Sequence, residues 1–510
     1  MAQSPSAAGR PNTLPNILPN VLPNTLPNIL FVMTDEERAR KWWPDSVTLP
    51  HRARLAARGV TFTQHHVHAM PCTPSRSNIF TGQHTQVTQM FDNINFPPQP
   101  SMSTSIPTIG TMLRSAGYTT AYHGKWHLSR DDDLAAMDGL EPYGFSAWEG
   151  PDNHGRPYEG ERVDRSAAQK AAAWITEHGR DADPWMCVVS FVNPHDIMLY
   201  PRFRRHHVRD WGVSAPDNAA IDIATRPEVH RRWRATCDAL AGRVKSSATW
   251  SMLANAYIDL TLMADRQFGV VLDALEASGA RDNTIVIFTS DHGDLAGAHG
   301  QRQKGAFVHA EITHVPLVVA DPRVPATAGT TCNALTGALD LVPTMLEWAG
   351  AQPASAVGTG LPGRSFAGLV ADPGRAGDRS NVVFAHDAGS SLGLLGPCRG
   401  FMRGLYDGRY RFGRYFDRGQ QHAPLAECDV ELYDTAEDPA ELHNLAHSPN
   451  SAARALISDL DALCRDLVAG EIGADDIVPE AGEGLPLWAR GAQMLAERAL
   501  QHPSAVWSRA

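Results

Sequence analysis

The chain has 510 residues, of which 43% are hydrophobic and 20% are charged. This size allows a large core with an appended unit, and the composition excludes a chain that is disordered throughout. The 45 basic and 56 acidic residues give a net charge of −11 without a block of like charge, which argues against nucleic acid and anionic membranes as partners. A small anionic substrate remains compatible, because the field inside a site is set by its own charged groups.

The cysteines and the N-terminus bear on the compartment. The cysteines are odd in number and scattered, which fits neither a disulfide framework nor a CxxC metal site. We find no basic start followed by a short apolar core, as a secretory signal requires, and no stretch of about 20 apolar residues. The sequence therefore predicts a cytoplasmic protein without a membrane span. The cysteines are Cys72, Cys187, Cys237, Cys332, Cys398, Cys428 and Cys464.

Residues 11–30 repeat a PNxL tetrapeptide that runs directly into an apolar segment. Proline at every fourth position excludes a helix and a central strand. We interpret residues 1–27 as a disordered leader, and a docking tail is the alternative.

From Asn28 onward, short apolar runs alternate with helical stretches. This alternation predicts an α/β fold with a large, mixed but mainly parallel sheet sandwiched by helices, over residues 28–375. The predicted helices are Pro50 to Arg58, Pro107 to Ala116, Arg165 to His178, Ala254 to Ser278 and Leu339 to Ala349.

Four of the apolar runs end in clusters of polar residues. Because ligand sites in open α/β sheets lie beyond the carboxyl ends of the strands, we expect the four clusters to converge there. A helix cap or a turn is the alternative for any single cluster. The clusters are Asp35-Glu36, His123 to His127, Asn193 to Asp196 and Asp291 to Asp294.

The pattern changes after about residue 375. Short β-type runs separated by turns predict a small antiparallel subdomain over residues 376–450. Residues 451–510 have helical periodicity and form a predicted helical tail. We expect this tail to pack on the main domain or on another subunit, so a homo-oligomer is possible.

The segment Pro71 to Gly82 is the most specific motif. Pro74 suits a first helical turn and Gly82 marks its end, so Cys72 is predicted just before a helix N-terminus, where an anion is favoured. Here the chain resembles the type I sulfatases of the alkaline phosphatase superfamily, whose C-x-P-S-R signature is matched by Cys72, Pro74, Ser75 and Arg76. The resemblance extends from Asn28 to about Leu445.

The resemblance implies an alkaline-phosphatase-like fold and a sulfuric ester hydrolase of arylsulfatase type. In such enzymes the cysteine is oxidised to formylglycine by a formylglycine-generating enzyme, and the hydrated aldehyde attacks the sulfate. Carried over, Cys72 is the precursor of the nucleophile, and the metal ligands are Asp35, Asp291, His292 and the modified residue 72.

The remaining roles also follow from the resemblance. Arg76 stabilises the hydrated aldehyde, while Lys125 and Lys304 hold the sulfate. His195 or Lys304 protonates the leaving alcohol, and His127 removes a proton when sulfate is expelled. These roles suit a sulfate ester, which needs cations around its oxygens and a proton donor at the leaving group.

Glu36 departs from the pattern, since the family commonly has a second Asp there. Glu36 is expected either to bind the metal, which we favour, or to support its ligands. Oxygen-rich ligands favour Ca²⁺, and His292 leaves Mn²⁺ or Mg²⁺ open.

Two other functions stay open. Phosphonate monoester and phosphodiester hydrolases of the same superfamily use the same aldehyde, although Gly124-Lys125-Trp126-His127 resembles the sulfatases better. A catalytically inactive protein that binds a sulfated ligand is the second. The substrate is a small-molecule sulfate ester, and aryl, alkyl, choline and sugar sulfates all remain candidates.

Residues near the motifs support weaker hypotheses. His65, His66 and His68 precede Cys72 in a predicted strand, where alternating faces keep them from sharing one ion. Asp92 to Asn95 and Asp152 to His154 are predicted in loops near the site, and solvated turns are the simpler interpretation of both.

Overall fold

The computed structural model describes residues 26–39, 44–96, 99–153, 158–200, 208–221, 223–352, 360–389, 395–473, 475–476 and 493–494. Nearly all of the predicted leader, His154 and most of the chain after Gly473 lie outside the described residues. Within these ranges, no helix has the length and apolar character needed to cross a bilayer.

The main sheet has seven strands in the order β3-β4-β1-β5-β6-β2-β7. All neighbouring pairs are parallel except those made by β6, which runs antiparallel to β5 and β2. The mixed, mainly parallel sheet is therefore confirmed. Its strands are β1 Asn28–Asp35, β2 Val60–His66, β3 Thr119–Gly124, β4 Trp185–Pro194, β5 Thr284–Ser290, β6 Leu317–Ala320 and β7 Thr330–Gly337.

Strand β1 shows why the sheet lies in the middle of the molecule. Every residue of β1 is buried, as expected of a strand covered on both faces. Ile29 and Phe31 pack into one hydrophobic cluster, whereas Leu30 and Val32 pack into a second cluster on the other face. Alternation of side chains across the strand therefore fills both layers.

Helices cover both faces of the main sheet. The helices Gly160–His178 and Ser247–Ser278 begin earlier than the sequence predicts. The helices are α1 Pro50–Ala56, α2 Cys72–Thr81, α3 Thr85–Thr88, α4 Ile109–Ser115, α5 Asp131–Ala136, α6 Gly160–His178, α7 Glu228–Ala241, α8 Ser247–Ser278, α9 Ala310–Thr313, α10 Leu341–Trp348, α11 Ala367–Ala371 and α12 Ser451–Glu471.

A separate four-stranded sheet follows, in the order β11-β10-β9-β8, and all its pairs are antiparallel. The small antiparallel sheet is confirmed, while the boundaries at residues 375 and 450 stay predictions. A turn around Gly408, with φ of +92°, joins two of the strands. The four strands of this sheet are β8 Val382–His386, β9 Phe401–Tyr406, β10 Tyr410–Phe416 and β11 Asp429–Asp434.

The two faces of the small sheet have different partners. On one face Leu405 and Phe412 pack against Leu460 and Cys464 of α12. On the other face Phe384 packs with residues of the main domain. The described part of the predicted helical tail is thus a helix that covers the small sheet.

Gly124, at the end of β3, offers a test of how this edge is built. Its φ is +103°, and an added Cβ would lie 2.0 Å from the carbonyl oxygen of Ser190. Gly124→Ala is expected to lower the free energy of unfolding by about 2–5 kcal/mol, from left-handed backbone and overpacking together, as measured by urea denaturation.

The matched control is Gly408→Ala, which has a similar φ and open space around the added methyl. It is expected to cost only about 1–2 kcal/mol. Equal losses in both variants would show that close approach to Ser190 does not constrain the β3 edge.

Candidate active site

The four polar clusters predicted at strand ends meet at one edge of the main sheet. Their strands are the neighbours β3, β4, β1 and β5. Gly124 pairs with Ser190, Asp35 with Pro194 and Thr34 with Ser290. The register therefore places Lys125, His195 and Asp291, which follow these strands, beside Asp35.

Cys72 is the first residue of helix α2, whereas the sequence predicts it just before the first residue of that helix. The helix ends at Gly82 with φ of +67°, as the sequence predicts. The Sγ atom of Cys72 lies 3.2 Å from Nε2 of His292 and 3.6 Å from Oδ1 of Asp35. Burial raises the pKa of the Cys72 thiol to about 11, so it is protonated near neutral pH. In a modified chain the aldehyde oxygens would take the place of Sγ.

Asp35, Cys72, Asp291 and His292 form one buried donor set, with ligand atoms within 4.8 Å of one another. Nδ1 of His292 lies 2.9 Å from the carbonyl oxygen of Gly293 and must donate to it, which leaves the lone pair of Nε2 facing Cys72. Oδ1 of Asp291 accepts the backbone N–H groups of Glu36 and His292 at 3.1 and 2.9 Å. Oriented carboxylates and an imidazole lone pair fit a divalent cation.

Arg76 lies beneath this donor set and is completely buried. Its Nη2 donates to Asp35 at 3.0 Å and its Nε donates to Asp291 at 2.8 Å. Its Nη1 donates to the carbonyl oxygen of Lys125 at 2.8 Å and to the Ser190 hydroxyl at 3.0 Å. One guanidinium thus fixes both carboxylates of the donor set, which no other side chain can do with this geometry.

Two lysines border the donor set. Nζ of Lys125 lies 2.5 Å from Asp35, and Nζ of Lys304 lies 2.7 Å from Glu36. Burial alone would raise the pKa of Asp35, but Lys125, His195 and Arg76 hold it well below its usual range. Burial would lower the pKa of Lys304, whereas Cys72, Glu36 and Asp35 raise it. Lys304 can therefore face an anion as a cation.

Glu36 lies beside the donor set without joining it. Its φ is +72°, and its carboxylate contacts Lys304 and lies 3.9 Å from Nε2 of His195. Burial raises the pKa of Glu36 well above its usual range, although Lys304 opposes this. Glu36, Asp35 and His195 form a second cluster of candidate ligand atoms, so Glu36 as a ligand stays a prediction.

His127 is held by residues of two loops, both interpreted from the sequence as solvated turns. Asp152 is buried and accepts the backbone N–H groups of Trp126 and His127. Oδ1 of Asn95 lies 2.8 Å from Nε2 of His127. The solvated-turn interpretation of Asp152 is therefore wrong, and no periodic pattern could reveal its backbone contacts. His127 in turn accepts, through its carbonyl oxygen, the hydroxyl of Thr73 next to Cys72.

The three histidines that precede Cys72 lie apart from the donor set. Nδ1 of His65 is 3.0 Å from the Thr336 hydroxyl, His66 stacks on His314, and Nδ1 of His68 donates to the Val383 carbonyl oxygen. They point to different partners, as expected from the alternation of a strand.

Comparison with known proteins agrees with the geometry. The sulfatase family model matches residues 27–351. This chain belongs to the sulfatase family. It is 27% identical over 443 residues to the uncharacterized sulfatase YidJ of Escherichia coli, covering 82% of each chain. It is also 27% identical over 459 residues to the choline-sulfatase of Rhizobium meliloti, again covering 82% of each.

The fold is also shared with solved structures of the alkaline phosphatase superfamily. The phosphonate monoester hydrolase SpPMH from Silicibacter pomeroyi superimposes with a TM-score of 0.68, at 21% identity, covering 88% of this sulfatase and 96% of that chain. This likeness establishes the fold alone. The sulfatase family makes the chain a sulfuric ester hydrolase.

Arg76→Lys tests whether the guanidinium organises the donor set. A lysine cannot reach Asp35 and Asp291 together, so we expect a loss of about 3–5 kcal/mol in unfolding free energy from the broken buried pairs. We also expect divalent metal affinity to fall about 10- to 100-fold. Chemical denaturation and metal titration by calorimetry measure the two effects.

The control is Arg54→Lys, whose ion pair with Asp273 is partly exposed. It is expected to change stability by less than about 0.5 kcal/mol. Unchanged metal affinity in Arg76→Lys would contradict an organising role for Arg76.

Proposed function

We propose that this sulfatase is an arylsulfatase-type enzyme that hydrolyses sulfate monoesters. It acts through a formylglycine made from Cys72 and with the help of a divalent cation. The observation that carries the proposal is the position of Sγ of Cys72 in the donor set of Asp35, Asp291 and His292.

The cation would be held by Asp35, Asp291, His292 and the modified residue 72, with Glu36 as a further candidate. Bound there, it lowers the pKa of the hydrated aldehyde and offsets the charge of the sulfate oxygens. Ca²⁺ is the first choice for a carboxylate-rich set, with Mn²⁺ or Mg²⁺ as the alternatives because of His292.

The side chains then divide the reaction between them. Lys125 and Lys304 hold the sulfate oxygens, while one hydroxyl of hydrated residue 72 loses its proton to water and its oxygen attacks the sulfur. The bond from sulfur to the ester oxygen breaks as this oxygen takes a proton from Lys304 or His195, which releases the alcohol. The product of this step is a sulfate ester on residue 72.

His127 completes the cycle. It takes the proton of the remaining hydroxyl on residue 72, the carbonyl bond re-forms and sulfate leaves. Water then hydrates the aldehyde. The contact between Thr73 and the carbonyl oxygen of His127 holds the backbones of the base and the nucleophile together.

Phosphonate monoester or phosphodiester hydrolysis is the second candidate. The fold that this chain shares with a phosphonate monoester hydrolase is compatible with both activities and does not distinguish them. Sulfate ester hydrolysis is favoured because the choline-sulfatase relative is 27% identical and because Lys125 and His127 follow β3 as in sulfatases. We further propose a cytoplasmic location and a formylglycine-generating enzyme as the maturation partner.

The decisive test is the mass of the tryptic peptide Gly59 to Arg76, from protein produced together with a formylglycine-generating enzyme. We expect one oxygen in place of the sulfur and two hydrogens of Cys72. The modified protein is expected to hydrolyse aryl sulfates faster than aryl phosphonates, and a chelator is expected to abolish activity.

A Cys72→Ala variant controls for contaminating hydrolases. An unmodified thiol in an active sample would contradict the aldehyde mechanism. Faster turnover of phosphonates would instead favour the second candidate.

A comparison of leaving groups identifies the proton donor. Loss of a general acid is expected to slow hydrolysis of alkyl or phenyl sulfates by about 10²- to 10⁴-fold, and to slow 4-nitrophenyl sulfate much less, because nitrophenolate leaves without a proton. Steady-state kinetics of Lys304→Ala and His195→Ala on both substrates make the comparison.

Lys125→Ala is the matched control, since it removes a sulfate contact without removing the acid and is expected to slow both substrates equally. If Lys304→Ala and His195→Ala also slow both equally, neither residue is the acid.

A further inference from the structure

Away from the candidate active site, a cluster of buried side chains of the types that bind metals lies between the main domain and the small sheet. It consists of His230 on α7, His309 just before α9 and Glu431 on β11, whose ligand atoms lie within 4.8 Å of one another. All three side chains are completely buried. None of them belongs to the donor set around Cys72, and the proposed sulfatase reaction does not use them.

His309 has the hydrogen bonding of a metal ligand. Its Nδ1 lies 2.6 Å from Oε2 of Glu441 and therefore carries the proton. Glu441 is itself held by Arg411 at 3.0 Å. Nε2 of His309 has no hydrogen-bond partner among the described residues. A buried imidazole whose Nδ1 proton is held by a carboxylate, with a free Nε2 lone pair, is the arrangement found in metal-bound histidines.

His230 supplies a second imidazole. Its Nε2 lies 3.2 Å from Oε2 of Glu431, and its Nδ1 lies 3.0 Å from the amide nitrogen of Gln301. The amide oxygen of Gln301 has no partner in the described chain. Exchanging the amide oxygen and nitrogen of Gln301 lets Nδ1–H donate to that oxygen. The Nε2 atom of a neutral His230 then presents its lone pair to Glu431 at 3.2 Å, and a cation between the two atoms would bind both.

Glu431 is held in place by two hydroxyl groups. Tyr433 donates to Oε2 at 2.7 Å, and Tyr415 donates to Oε1. Arg226 contacts the hydroxyl of Tyr433 and forms no ion pair with Glu431 in the described part of the chain. With bonds of about 2.0–2.1 Å, the ligand atoms of a tetrahedral zinc ion lie about 3.3 Å apart. The separation of 3.2 Å between His230 and Glu431 fits that geometry.

We propose that His230, His309 and Glu431 bind a zinc ion, with water as the fourth ligand of the tetrahedron. Two imidazoles and one carboxylate favour Zn²⁺ over Ca²⁺ or Mg²⁺. The ion satisfies Nε2 of His309 and Nε2 of His230, neither of which has a hydrogen-bond partner among the described residues. It ties helix α7 and the segment before α9 to strand β11, and so fastens the small sheet to the main domain. Because the cluster is fully buried, the ion enters as the chain folds.

The first measurement is the zinc content of the purified full-length protein, by inductively coupled plasma mass spectrometry. About one zinc per chain is expected for a single site. Asp291→Asn, which disables the donor set around Cys72, is expected to retain it. Protein produced with Co²⁺ in zinc-depleted medium is expected to show the intense visible absorption of tetrahedral cobalt, also in Asp291→Asn.

Substitutions locate the ion. His309→Gln and Glu431→Gln are expected to lower the zinc content at least tenfold. His65→Gln is the matched control, because His65 is also a buried histidine with an unpartnered Nε2, and it is expected to leave the zinc content unchanged.

Three results would overturn the proposal. They are wild-type protein without zinc and without the cobalt spectrum, loss of both signals in Asp291→Asn, or full zinc retention in His309→Gln. The first two need no variant of the cluster, so they decide the question even if His309→Gln fails to fold.

Discussion

The active-site edge of this sulfatase depends on the buried guanidinium of Arg76. From helix α2 it reaches Asp35 at the end of β1, Asp291 after β5, the carbonyl oxygen of Lys125 after β3 and the hydroxyl of Ser190 on β4. A single side chain thus joins four neighbouring strands to the helix that carries Cys72. Burial alone would raise the pKa of Asp35, and the charge of Arg76 acts with that of Lys125 to hold it well below its usual range.

Much of this edge is predictable from the sequence, because it follows from the rules of parallel sheets. The runs that form β1, β4 and β5 are apolar and contain several β-branched residues. These three strands and the shorter β3 each lead into residues with metal-binding or acid-base chemistry. Convergence follows once the strands are taken to be parallel neighbours. The small sheet is predictable for a similar reason, since its short runs and the Asp407-Gly408 turn are local signals.

Other features depend on contacts between distant residues that no local pattern marks. Asp152 accepts the backbone N–H of His127 from a loop, and no feature of the sequence of that loop predicts this contact. The direction of Glu36 depends on a left-handed backbone at the end of β1, and this lets one added methylene turn the carboxylate towards Lys304. His230, His309 and Glu431 come from three separate segments, and only the docking of the small sheet on the main domain brings them together.

The complete burial of Cys72 has a consequence for the order of events in the life of the chain. Ser75 and Arg76 are buried with it, so an enzyme that converted Cys72 to formylglycine, as proposed, could reach this segment only before the chain folds. Oxidation and folding would then compete for the same nascent chain. A molecule that folded first would keep the thiol, and the relative speed of the two processes during synthesis would set the active fraction of a preparation.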